Sequence, residues 1–216
     1  METRVDVGRA VHLGIPEVVV GALRQEGYQA SRPAISAALE FAGEEVRSVL
    51  FLAGPPGTGK SVAAAVGALA CRTRAKLVRV EMPADESVPG AVKSKVNGDW
   101  YVTMPMTLGG EPLNGRWVNG RQFFHSIFNE LFWKQLEATP LLVVDDLGAE
   151  VQDEKVRTAF VAMLVERMDR MRKTLLTTNL TLDAFAQSYG QVAGGARLID
   201  RLDGRAWMTV GGGSLR

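Results

Sequence analysis

Apolar positions along the chain change period several times, and each change marks an element. Val18, Val19 and Leu23 recur at helical spacing behind Pro16 and stop at Gly27, which predicts a first helix. A second helix is predicted over about 33–42, with Ile35, Ala38 and Leu39 on one face. Val49-Leu50-Phe51-Leu52 then breaks the helical period: a continuous apolar run ahead of a glycine reads as a parallel strand buried on both faces. An alanine- and valine-rich helix is expected over 62–70 and a strand over 76–80.

Residues 82–118 lose the pattern. Pro83, Pro89, Pro105 and Pro112 stand among many glycines, with a possible strand at 100–103 and another beginning around 115–118. This reads as an insertion, a hairpin or an extended loop. Periodicity returns over 122–137, where Phe123, Phe124, Ile127, Phe128, Leu131 and Phe132 form a wide stripe, most simply a core face. Pro140 introduces a strand over 141–144. An amphipathic helix follows over about 153–171, with Val156, Phe160, Met163, Leu164 and Met168 on one side. A strand at 174–178, short helices near 182–189 and 197–202, and a last strand at 206–210 complete the reading. Strand–helix alternation of this kind predicts a three-layer α/β/α fold with a mostly parallel sheet. The expected organisation is a helical lead-in over 1–45 and one α/β domain over 46–216, carrying the insertion at about 82–118.

Composition narrows the function classes. The 216 residues are 46% hydrophobic and 23% charged, the proportions of a chain that builds a core. Lys and Arg number 25 against 24 Asp and Glu, a net charge of +1, so attraction to nucleic acid would need a local patch. Arg167, Arg170, Arg172 and Lys173 form one such cluster, although helix C-termini attract cations for their own reasons. Cys71 is the single cysteine, read as a small buried apolar side chain in a reducing compartment. No apolar run reaches membrane-spanning length and 1–9 is too charged for a signal peptide, so a cytoplasmic protein without membrane contact is expected.

Three strand ends carry candidate chemistry. Gly54-Pro55-Pro56-Gly57-Thr58-Gly59-Lys60-Ser61 matches the Walker A pattern, and Val62 carries the segment into the following helix. Its glycines let backbone N–H groups turn inward on a phosphate chain, and the helix adds its positive end. Lys60 is placed to reach the β- and γ-phosphates and Ser61 to ligate Mg²⁺. Leu141-Leu142-Val143-Val144-Asp145-Asp146 reads as Walker B: a buried strand delivers Asp145 toward Mg²⁺ and Asp146 toward the attacking water. Asn179 ends the next apolar strand; its amide suits contact with both a phosphate oxygen and a water, and equally suits a turn or helix N-cap. Arg197 and Arg201 share a helix face and suit either phosphate recognition or a surface ion-pair cluster with Asp200 and Asp203.

Taken in order, GPPGTGKS, LLVVDDLGAE, LLTTN and YGQVAGGARLIDRL resemble the AAA+ ATPases of the DnaC/DnaI helicase-loader and IstB transposition-helper group. The Leu13-Gly14-Ile15-Pro16 element is also similar to that group, and the resemblance covers roughly 12–205, weakest over 82–118. It implies the AAA+ form of the P-loop fold with a five-stranded sheet. It further implies ATP and Mg²⁺ as ligands, Asp145 as metal ligand, Asp146 as the water-activating acid and Asn179 as sensor 1. Arg201 takes the place of the arginine finger that serves a neighbouring subunit, with Arg197 assisting, so a ring or filament of like subunits is implied. Residues before Gly14 are too few for the loaders' helicase-binding domain, and the end at Arg216 implies a reduced or absent C-terminal lid. A loader of a replicative helicase at single-stranded DNA is the leading expectation. A transposition helper on double-stranded DNA with a transposase, a weakly hydrolysing nucleotide-gated module, and another P-loop enzyme such as a small kinase are the alternatives. The kinase reading leaves Asn179 and Arg201 without a role.

Overall fold

The computed structural model describes residues 7–26, 32–44, 46–72, 92–96, 99–103, 112–120, 129–148, 153–202 and 204–211. It packs as two compact units, residues 1–71 with 113–216, and residues 72–112. In the first unit a short 3₁₀ turn (Val7–Arg9) leads into α1 (Ala10–Leu13), α2 (Glu17–Glu26) and α3 (Pro33–Gly43). Strand β1 (Val49–Ala53) and helix α4 (Lys60–Ala70) follow. In the second unit β2 (Val92–Val96) pairs antiparallel with β3 (Asp99–Thr103). Back in the first unit come β4 (Gly115–Asn119), α5 (Glu130–Ala138), β5 (Leu141–Leu147) and α6 (Glu154–Asp169). The chain closes with β6 (Lys173–Thr178), α7 (Leu182–Tyr189), α8 (Gly195–Arg201) and β7 (Trp207–Thr209).

Strands β4-β5-β6-β1-β7 form one sheet in that order, and every pairing in it is parallel. The strand read at 115–118 is therefore the edge of this sheet. Alternation explains why β1 is apolar throughout: Leu50 and Leu52 pack into the core shared with α1–α4, whereas Val49, Phe51 and Ala53 face the core shared with α5–α8. On that second side Phe51 stacks on Trp207 at 4.8 Å and meets Phe185 edge-on at 5.1 Å. The N-terminal helices belong to the first core, and the Arg9 guanidinium donates to the carbonyls of Leu69 (3.1 Å) and Leu113 (2.9 Å).

Most predicted elements match within two or three residues, but the single helix read over 122–137 does not: Asn129 is extended and caps α5, which begins at Glu130. The strand expected at 76–80 and the aromatic positions Phe123, Phe124, Ile127 and Phe128 lie outside the described residues. Within α5 the apolar-stripe reading is corrected at Leu131, which is 67% exposed, while Leu136 is fully buried against the sheet. Cys71 is buried, as expected.

Two members of the basic cluster at the end of α6 point inward, in line with a helix-end role and not a nucleic-acid one. Arg167 is wholly buried. It donates to the carbonyls of Leu136 (2.6 Å), Thr139 (2.7 Å) and Lys173 (2.7 Å) and to Thr174 Oγ1 (2.9 Å). Its guanidinium thereby takes up the unpaired carbonyls at the end of α5 and ties them to β6. Burial lowers its pKa to about 9, which leaves it charged at neutral pH. Lys173 does the same for α3, donating to the carbonyls of Phe41, Glu44 and Arg47. Arg167→Ala strands several buried acceptors and opens a cavity, so it should cost at least about 3 kcal/mol in chemical denaturation; a loss below about 1 kcal/mol would refute this role.

Candidate functional site

The chain between β1 and α4 is shaped by glycine. A Cβ on Gly54 would lie 2.2 Å from the Val210 carbonyl oxygen, so no larger residue fits where the loop leaves the sheet. Gly59 caps α4 at φ 83, a left-handed backbone that other residues adopt at a cost. The Thr58 hydroxyl donates to the Pro55 carbonyl at 2.9 Å and closes the loop on itself. A cleft of about 490 Å³ opens here, above the C-terminal ends of the parallel strands.

That cleft collects most of the residues singled out from the sequence. Gly57, Gly59, Lys60, Ser61 and Val62 line it together with Asp145, Asp146 and Asn179. Lys60, only 8% exposed, donates to the carbonyls of Gly54 (2.7 Å) and Pro55 (2.7 Å) and to Asn179 Oδ1 (3.0 Å). The Ser61 hydroxyl donates to Asp145 Oδ1 at 2.8 Å, so the first turn of α4 meets the end of β5 through one hydrogen bond. Asn179 bridges the same group from the other side, its Nδ2 donating to Asp146 Oδ1 at 3.2 Å. The helix-cap alternative for Asn179 is filled by Thr181, whose hydroxyl accepts from Ala184 N–H at 3.2 Å.

Burial sets the electrostatics. It raises the Asp145 pKa, and the hydrogen bonds from Thr177 and Ser61 oppose that rise. Burial also lowers the Lys60 pKa, against the attraction of Asp146 and Asp145. A carboxyl whose folded pKa is raised stabilises the fold fully below its unfolded pKa and loses that contribution as pH rises through the folded value. An ammonium whose folded pKa is lowered loses its contribution as pH falls through the folded value. Burial thus disfavours the charged form of both groups, a penalty that a bound cation and polyanion would relieve. Asp145→Asn should accordingly melt no lower than wild type at pH 7.5, with the difference narrowing toward pH 4.5, while losing Mg²⁺-dependent nucleotide binding. A neutral-pH melting temperature well below wild type would contradict this account.

Magnesium and a nucleotide fit these residues. Ser61 Oγ and Asp145 Oδ1 are hard oxygen donors brought within contact of each other, and Lys60 lies in the loop beside them. Among the described residues no group of three or more His, Cys, Asp or Glu could hold a metal as a cage. Mg²⁺ suits a site with few protein oxygens, since it keeps waters and takes the rest of its shell from phosphates.

Arg197 and Arg201 stand elsewhere. Both pair with Asp169 at the end of α6, Arg201 at 2.5 Å and Arg197 at 3.3 Å. Arg201 lines a second cleft of about 480 Å³ with Ser48 and Val49, at the N-terminal ends of the strands and so at the opposite end of the sheet. The chain does not bring Arg201 to its own nucleotide cleft.

Three cleft residues escaped the sequence reading: Ala22 from α2, Asn119 from the tip of β4 and Thr177 from β6. Asn119 carries a detectable signal, a polar residue after an apolar pair and in register with Asp145. Ala22 carries none, because only the packing of α2 brings it there.

Comparison with known proteins gives the family and the fold. The profile of the "ATPase family associated with various cellular activities (AAA)" matches residues 50–209. The crystal structure of DnaI superposes with TM-score 0.58 at 20% identity, covering 93% of this chain and 94% of that one. A putative primosome component from Streptococcus pyogenes gives TM-score 0.58 at 16% identity over 94% and 93%. The DnaC helicase loader gives 0.54 at 15% identity over 91% and 100%. At these identities the likeness is one of fold. No curated protein sequence matches the chain significantly.

Proposed function

This chain belongs to the AAA family of ATPases, and from that premise we propose that it binds ATP with Mg²⁺ in the cleft between Gly54–Ser61 and Asp145 and hydrolyses it in an assembly of like subunits. The observation that carries the reading is the 2.8 Å hydrogen bond from Ser61 to Asp145. It brings the phosphate loop and the acidic strand end together, so that Ser61 and Asp145 would hold one Mg²⁺ between them.

Each residue's part follows from its place. Backbone N–H groups of 57–61 and the start of α4 receive the phosphates. Lys60 gives up its carbonyl partners to meet the β- and γ-phosphates, exchanging dipoles for full negative charge. Ser61 and Asp145 hold the metal, which supplies charge neutralisation between phosphates when bound. Asp146 orients the attacking water and accepts its proton. Asn179, already bonded to Lys60 and Asp146, holds that acid beside the terminal phosphate. Arg201, with Arg197, serves the nucleotide of the next subunit, which fits its position away from its own cleft. The organisation we propose keeps the helical lead-in over 1–45 and the ATPase core over 46–216, with an insertion at about 82–118.

Loading or remodelling of a replicative DNA helicase is the activity best supported, through the fold shared with DnaI and the DnaC helicase loader. The test is co-purification with a replicative helicase and single-stranded DNA in ATP and in a slowly hydrolysed analogue. Nucleotide-dependent capture of the helicase supports the reading. Capture of a transposase on duplex DNA instead would replace it with the transposition-helper role, and no nucleotide dependence in any pairing would overturn both.

A further inference from the structure

On a regular strand successive side chains point to opposite faces, so two adjacent acids do not ordinarily serve one site. Strand β5 departs from this rule. Val144 pairs with Leu176 and Leu147 with Thr178, which leaves Asp145 and Asp146 together opposite Thr177 alone. That is a β-bulge, one residue too many on β5. Asp146 absorbs it with φ 62, a backbone rare for residues other than glycine but tolerated by aspartate. The result is that both carboxylates line the same cleft.

One side chain holds both halves of the bulge. Thr177 is 1% exposed, and its hydroxyl donates to Asp145 Oδ1 at 2.6 Å while accepting from the Asp146 N–H at 2.8 Å. Thr178 secures the far side, donating to the Leu147 carbonyl at 2.7 Å, but touches neither acid. Asp145 Oδ1 has two hydroxyl donors, Ser61 and Thr177. With Ser61 holding a metal, Thr177 would be the donor left to fix the direction of this carboxylate.

We propose that Thr177 is a positioning residue whose hydroxyl locks the β5 bulge so that Asp145 and Asp146 act on one Mg²⁺–nucleotide. The inference rests on the roles given to those acids above. It predicts that valine, equal in shape but without the hydroxyl, is not a conservative replacement.

The test compares Thr177→Val and Thr177→Ser with wild type in two readouts: kcat, and the affinity for a slowly hydrolysed ATP analogue with Mg²⁺ and with EDTA. Loss of a hydrogen bond to a charged group should lower kcat in Thr177→Val by about 10- to 100-fold. The Mg²⁺-dependent gain in analogue affinity should shrink by about tenfold, while affinity in EDTA, set by the phosphate loop, stays at the wild-type value. Thr177→Ser keeps the hydroxyl and should match wild type within about threefold in both. Wild-type values in Thr177→Val overturn the proposal. So does a valine-sized loss in folded Thr177→Ser, a comparison that holds even if the valine variant fails to fold. Asp146→Asn separates the levels: full turnover there overturns the acid's role itself, whereas loss of turnover there beside an active Thr177→Val overturns only Thr177.

Discussion

Lys60→Ala is expected to weaken ATP binding by about 30- to 1,000-fold, the usual consequence of removing one partner from a desolvated charged contact. Lys60 is 8% exposed, and its ammonium donates to two carbonyls and the Asn179 amide oxygen. These are dipoles, and burial presses its pKa downward. A triphosphate offers full charges in their place, so the ammonium's contribution grows on binding. The same reasoning gives the opposite sign for the empty protein. Alanine removes a charge held at some cost, so the apo fold should melt close to wild type. Titration calorimetry beside a thermal melt distinguishes these effects. Wild-type affinity in a folded Lys60→Ala protein would remove the basis for the whole assignment.

Arg201→Ala is expected to bind ATP normally and to lose hydrolysis by about 10³-fold or more, since a guanidinium supplied to the transition state is commonly worth that much. In one chain Arg201 pairs with Asp169, at the strand ends opposite the cleft. That position is far from its own nucleotide cleft, so under the proposed role it acts on a neighbour's. Mixing provides the decisive measurement. Arg201→Ala subunits retain Lys60 and Asp146, and Asp146→Asn subunits retain Arg201. Each is inactive alone, and together they should regain part of the wild-type rate, because an intact cleft meets an intact arginine at some junctions. Absence of recovery at any ratio, with both variants assembled, would limit Arg201 to the ion pair it makes here.

Much of this protein was legible from local pattern. The buried parallel strands announce themselves as apolar runs, because both faces of such a strand are covered. Walker A is legible because a phosphate loop is built from consecutive residues, with glycine wherever the backbone must turn or approach closely. Asp145 is legible as an acid at the end of such a strand. In each case the physical requirement falls on neighbours in sequence.

The tertiary structure decided whatever depended on elements far apart in the chain. Arg167 and Lys173 stand in the sequence as part of a basic cluster at a helix end; only packing decides that they turn inward onto the ends of α5 and α3. Asn179 stood between a helix cap and a site residue until Thr181 proved to hold the cap and the amide was found on Lys60 and Asp146. The direction of Asp146 depends on a register slip between β5 and β6, and strand alternation alone would have placed it on the wrong face. Burial, register and the satisfaction of distant carbonyls are properties of the assembled core. No window of neighbouring residues contains them.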